Sequence, residues 1–147
     1  MELPNKLFLA LFLFGFLGCS ESNQVTLEFR IAEDEPAPGL KEMVFDPTGE
    51  RFYLHDEVLV DQSDVDSAVV VIHDGRPAVE LVLTFVGTQR FEESTERNVG
   101  KRCGIVLNGR LVSSPRIMAP IRAGRAIVTS NFTEVEARRI AKELSQP

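Results

Sequence analysis

Tryptophan is absent from this chain of 147 residues, and tyrosine occurs once, at Tyr53. Recognition built on rigid aromatic anchors therefore has little to work with. Most of the ten phenylalanines fall in the leader or at core-type positions. Histidine occurs only at His55 and His73, in different strand-like segments, and no H-x-x-x-H or C-x-x-C spacing gathers ligands for zinc. There is no glycine-rich phosphate loop and no G-x-S-x-G elbow, so the sequence points to no metal, no cofactor and no enzymatic reaction. The formal net charge of −6 argues against a nucleic-acid partner, which needs a basic stripe. Acidic residues are dispersed, as on a solvated surface, rather than gathered into an interaction tail.

Long apolar runs are missing too. The longest, Leu7 to Leu17, falls short of the roughly 20 residues that cross a bilayer, but it suits the apolar region of a secretory signal behind Lys6. No A-x-A cleavage pattern precedes residue 25. Instead Phe16-Leu17-Gly18-Cys19 resembles the lipobox of bacterial lipoproteins, which implies cleavage after residue 18 and acylation of Cys19. The competing reading is an uncleaved anchor or an ordinary secretion signal. Residues 1–18 are then a lipoprotein signal peptide, 19–24 a lipidated polar tether, and 25–147 one folded domain. Ser20 after the cysteine implies, by the same resemblance, outer-membrane sorting in a Gram-negative host.

With Cys19 acylated, Cys103 has no intramolecular partner, so no disulfide framework exists despite an oxidising compartment. Cys103 reads as a small buried hydrophobe. Lys101 and Arg102 adjoin it, but alternation along a strand sends Arg102 to the opposite face.

Along the folded part, Val25 to Ala32 alternates apolar and polar residues with the period of a half-buried strand. Glu33 to Glu50 carries Pro36, Pro38, Gly39, Pro47 and Gly49 and reads as a loop, with a helical turn around Leu40 to Val44. Arg51 to Leu54 and Glu57 to Val60 are short strands. Ser67 to Ile72 and Ala78 to Phe85 form a hairpin across Asp74-Gly75, and Ile105 to Val112 folds over Asn108-Gly109, the strongest hairpin signal present. Thr88 is placed to cap a helix whose Phe91, Thr95 and Val99 share one face, stopped by Gly100. Arg125 to Ser130 is a strand. Thr133-Glu134-Val135-Glu136 is a capping box opening a helix that buries Ala137, Ile140, Ala141 and Leu144. The fold class is α+β: an antiparallel sheet with two helices packed on one face.

Asp61, Asp64 and Asp66 make the best metal-like cluster, but the glycine and distal glutamate of a calcium loop are missing, so it reads as a turn with Asx hydrogen bonds. Ser113 and Ser114 follow a strand with no histidine close in sequence. The segment from Ser113 to Gly124 differs. Arg116, Ile117, Met118, Ile121 and Arg122 mix apolar side chains with arginine between two prolines, which suits a contact with a partner protein. The favoured reading of Ile117 and Ile121 is nevertheless that they pin this excursion onto the core, since isoleucine is so often buried.

Three phrases in one order, F-x-x-x-T-x-x-N-V-G-K-R from Phe91, G-I-V-L-N-G-R-L-V-S-S-P from Gly104 and G-R-A-I-V-T-S-N-F-T-E-V-E-A from Gly124, resemble the head subdomain of the first periplasmic domain of SecD. The resemblance is sharp from about Val65 and looser before it. It implies an envelope location and contact with emerging polypeptide. The expectation is thus a stand-alone head, held to the membrane by lipid, that binds a protein or peptide in the bacterial envelope and assists export or envelope maintenance. The runner-up is a small-ligand-sensing lipoprotein, and behind it an envelope hydrolase. A polar pocket joining His55 or His73 to Ser113 or Ser114 would favour the hydrolase.

Overall fold

The alternation of Leu27, Phe29 and Ile31 with Glu28 and Arg30 makes one face of the first strand apolar, and the molecule is organised around that face. The structure, a computed structural model, describes residues 24–145. Cys19 and the signal segment lie outside the described residues. In chain order the elements are β1 (Leu27–Glu33), β2 (Lys41–Val44), β3 (Arg51–Leu54), β4 (Val60–Asp61), a 3-10 turn (Gln62–Asp64), β5 (Val65–His73), β6 (Arg76–Leu83), α1 (Phe85–Arg97), β7 (Arg102–Leu107), β8 (Arg110–Ser113), β9 (Arg125–Val128) and α2 (Glu134–Leu144).

The α+β class holds, and the strands divide between two antiparallel sheets. One runs β2-β3-β1-β7-β8, with β4 also paired to β1; the other runs β5-β6-β9. The first sheet curls until its ends meet. Phe45, just past β2, forms a parallel bridge with Leu111 of β8, and Asp46 donates its N–H to the Leu111 carbonyl at 3.1 Å. The closed barrel is filled by Phe52, Leu54, Val106 and Leu111, with Met43 and Phe45 packed against them. Gly104 belongs here because a Cβ at this position would stand 3.3 Å from Leu111 Cδ1 and 3.4 Å from Leu54 Cδ2.

The outer face of the barrel supplies one side of the main core: Leu27, Phe29, Ile31, Cys103, Ile105 and Leu107. The second sheet supplies Ala68, Val79, Leu81 and Val128. Phe91 of α1 meets Phe29 edge-on with ring centres 5.5 Å apart. The stripe Ala137, Ile140, Ala141 and Leu144 of α2 is buried as the periodicity predicts, against β5 and β6, and its Thr133–Glu136 capping box is formed. Burial pushes the Cys103 thiol up to about 12, which fits an inert hydrophobe. Asp61 accepts from Ser63 N–H at 2.8 Å and Asp64 pairs with Arg90 at 3.1 Å, so the aspartate cluster is the expected turn. Among the described residues, no group of side chains is placed to hold a metal. Nor is any helix there long and apolar enough to cross a membrane.

Three local readings need correction. Lys41–Val44 is a strand paired with β3, not a helical turn: four residues of helix leave most backbone groups unpaired, whereas the strand ladder satisfies them. The cap of α1 is Thr84, whose Oγ1 accepts from Gly87 N–H at 3.1 Å, so the helix starts a turn before Thr88 and takes up Phe85. Val99 lies beyond the last turn, on the surface, while Phe91 and Thr95 are buried as expected.

Candidate functional site

The excursion between β8 and β9 is held by the backbone. Cys103 N–H donates to Pro115 O, Gly100 N–H to Ile117 O, and Ile117 N–H to Lys101 O, each at 2.8 Å. Gly100 makes this approach at a φ of 90°, where a side chain is strained. Farther along, Ile121 N–H donates to Thr95 Oγ1 at 2.9 Å, and Gly124 O accepts from Leu83 N–H at 2.8 Å.

This pairing sorts the candidate contact residues. Ile117 is 3% exposed and sits in the main core, so it is no surface contact; the ladder with Lys101 turns it inward. Ile121 is half-buried against the same core. Met118 is 79% exposed. The bond from Gly100 N–H to Ile117 O has an exposed apolar residue next to each end, Val99 before Gly100 and Met118 after Ile117. Val99 was hidden from sequence reading because it keeps the four-residue spacing of the buried stripe after the helix has ended.

Charges frame this apolar pair. Arg116 donates to Gly100 O at 2.6 Å and to Asp34 at 3.2 Å, which ties it to the scaffold. Arg122 bridges to Glu92 at 2.9 Å and Glu96 at 3.6 Å on α1. Arg102 binds Asp34 at 2.6 Å and lies over the Phe52 ring at 5.0 Å. Lys101 and His55 both bond Glu33 Oε1, at 2.8 and 2.9 Å. The Lys101 hydrogen bond, followed by that of His55, holds the Glu33 carboxyl below its ordinary range; Arg102 and then Arg116 do the same for Asp34. The result is an exposed apolar spot bounded by charged groups that are already paired, the usual make-up of a protein contact with a polar rim.

A second cleft, of about 420 Å³, opens between the barrel and the second sheet, and both His73 and Ser113 line it. No hydrogen bond joins them. Ser113 Oγ faces Thr129 Oγ1 at 3.5 Å, and His73 Nε2 stands 3.5 Å from Asp74. His55 is engaged elsewhere, with Glu33.

Comparison with known proteins matches this architecture. A sequence profile described as SecDF, P1 head subdomain, matches residues 39–146. The protein translocase subunit SecDF of Thermus thermophilus is 41% identical over 76 residues, covering 52% of this chain and 10% of that protein. The protein translocase subunit SecD of Acetobacter pasteurianus is 36% identical over 110 residues, covering 72% of this chain and 21% of that protein. Among solved structures, SecDF in a super-membrane-facing form superposes with a TM-score of 0.64 at 30% identity, covering 82% of this chain and 19% of that one. A structure of SecDF described as a membrane component that enhances protein export gives a TM-score of 0.60 at 26% identity, covering 83% and 60%. The chain thus spans about a fifth or less of the curated relatives' length.

Proposed function

The chain belongs to the SecDF P1 head subdomain family, and on that premise we propose that it serves as a polypeptide-contact module of the bacterial envelope, accessory to protein export. The observation that carries the reading is the exposure of Val99 and Met118, the latter on a segment whose two isoleucines, Ile117 and Ile121, pack on the core. A flexible loop would lose ordering entropy on binding; this one is already ordered by backbone hydrogen bonds. Truncation of an apolar anchor at such a contact costs more than about 1 kcal/mol of binding. The test is crosslinking in the native envelope followed by recovery of an export substrate arrested in transit. Val99→Ser with Met118→Ser should lower the yield without lowering the melting temperature; undiminished yield rejects the surface.

Anchoring forms part of the same proposal. Gly18-Cys19, after a short apolar run, supports acylation of Cys19, with the domain beginning a few residues later at Val25. Intact mass of the membrane-extracted protein should show loss of residues 1–18 and gain of acyl chains, both abolished by Cys19→Ala. A mature protein beginning elsewhere removes the anchor from the account. Sorting to the outer membrane follows from Ser20 in a Gram-negative host, and fractionation of the two membranes tests it.

The second reading, a small-ligand role, is favoured by one observation: the cleft beside His73 and Ser113 is lined by both polar side chains, among them Arg76, Thr129 and Asn131, and apolar ones such as Phe45 and Val112.

A further inference from the structure

Arg76 differs from most arginines of this molecule. Arg30, Arg51, Arg90, Arg102, Arg110, Arg116, Arg122, Arg125, Arg138 and Arg139 each have a carboxylate partner. Arg76 instead donates to the Asn131 side-chain oxygen at 3.3 Å, a long and neutral contact. It opens β6 directly after the Asp74-Gly75 turn, whose φ values of 49° and 74° fix the strand entry at the rim of the 420 Å³ cleft.

The groups around it are donors. Asn131 turns its oxygen to Arg76, which leaves its amide N–H groups for another acceptor. The Ser113 and Thr129 hydroxyls are 3.5 Å apart, longer than a full O–H···O bond, so each can still donate to a third group. The one carboxylate on the lining, Asp74, has its side chain 92% exposed, beside His73. A second cavity of about 440 Å³ adjoins the first and shares Pro47, Val112, Ser130 and Asn131 with it. Its apolar lining includes Leu107, Phe132 and Ile140. Of the charges in this second lobe, Arg110 pairs with Asp46 at 2.7 Å and Arg139 with Glu143 at 2.8 Å, while the Glu136 carboxylate accepts from Thr133 N–H at 2.7 Å as part of the helix cap.

From a guanidinium with no carboxylate partner among the described residues and spare donors in one lobe and an apolar lining in the next, we propose that this cleft binds a small carboxylate with an apolar body. Arg76 takes the carboxylate in its two-pronged N–H fork, Asn131 and the paired hydroxyls donate to its remaining lone pairs, and the body lies along Val112 toward Phe132. A guanidinium suits this role because its planar donors match the two carboxylate oxygens, which a lysine cannot reproduce. The proposal rests on the small-ligand reading and shares no residue with the Val99–Met118 surface, so the two fail separately.

The test is a titration of the isotope-labelled full chain with 3-phenylpropanoate and, in parallel, with 3-phenylpropanol, following amide shifts of Ser113, Thr129 and Asn131. Saturable shifts with the acid are expected. The alcohol and the Arg76→Gln variant should each bind about tenfold or more weakly, as loss of a charged hydrogen bond requires. No saturable shift with the acid overturns the proposal, as does equal affinity for acid and alcohol in the wild-type chain. The acid–alcohol comparison decides the matter even where Arg76→Gln fails to fold.

Discussion

Gly100 donates its backbone N–H to the carbonyl of Ile117 at 2.8 Å, and this one bond sets which side of the arginine-rich excursion faces the core. With its own N–H returned to Lys101, Ile117 points inward and its neighbour Met118 points out. Ile117→Ala should therefore cost about 2–5 kcal/mol of stability, as for a buried aliphatic side chain. Met118→Ala should stay within about 0.5 kcal/mol, as at an exposed site. Urea melts of the two variants check the contrast, and equal effects would mean that the loop is not paired this way.

The barrel gives a second expectation. Leu111 fills its interior and also bridges to Phe45, so Leu111→Ala should cost about 2–5 kcal/mol. Gly104→Val should cost about 1–3 kcal/mol through overpacking against Leu111, Ala32 and Leu54. A Gly104→Val protein that melts like the wild type would show that the interior has room to spare.

Acid should weaken the scaffold beneath the contact surface. Glu33 and Asp34 have carboxyls held below their ordinary values of 4.5 and 3.8 by Lys101 and His55, and by Arg102 and Arg116. A lowered folded-state value contributes stability that is fully present above the unfolded value and is lost as pH falls through the folded one. Both groups are partly exposed, so solvent screening keeps the effect modest. Urea midpoints at pH 7 and pH 3 should converge between wild type and the Glu33→Gln, Asp34→Asn double variant. A constant gap would contradict the linkage.

Cys103 should be inert in the folded protein. Its thiol is 3% exposed and raised to about 12, so almost no thiolate exists at neutral pH. An aromatic disulfide reagent should label it only at the rate of unfolding, with full labelling in denaturant. Rapid labelling of the native protein would show that the wall between β1 and β7 opens.

Much of this was legible in the sequence where the signal is local. Asn108-Gly109 and Asp74-Gly75 both adopt the positive φ that hairpin turns require, and Thr133 and Glu136 close the cap their spacing implies. Strand β2 was not legible because Met43 alone of its four residues turns inward, so no alternation marks it. Local spacing puts the cap of α1 a turn late, at Thr88 instead of Thr84. Gly87, whose N–H donates to the Thr84 hydroxyl, sits against Asp64 with no room for a Cβ, a tertiary contact that no local spacing announces. Ile117 and Met118 are adjacent apolar residues, and only a ladder to Lys101, distant in sequence, distinguishes them. The barrel closure at Phe45 and Leu111 joins positions whose relation no short motif encodes.

The central claim is that the Val99–Met118 surface meets polypeptide during export, and a photo-crosslinking residue placed at Met118 tests it most directly. Val135, on α2, is 77% exposed against 79% for Met118 and serves as the control for exposure alone. With an export substrate arrested in transit in intact cells, the account predicts a crosslinked adduct from Met118 and a several-fold lower yield from Val135. Equal yields from the two positions, or none from Met118, would contradict it.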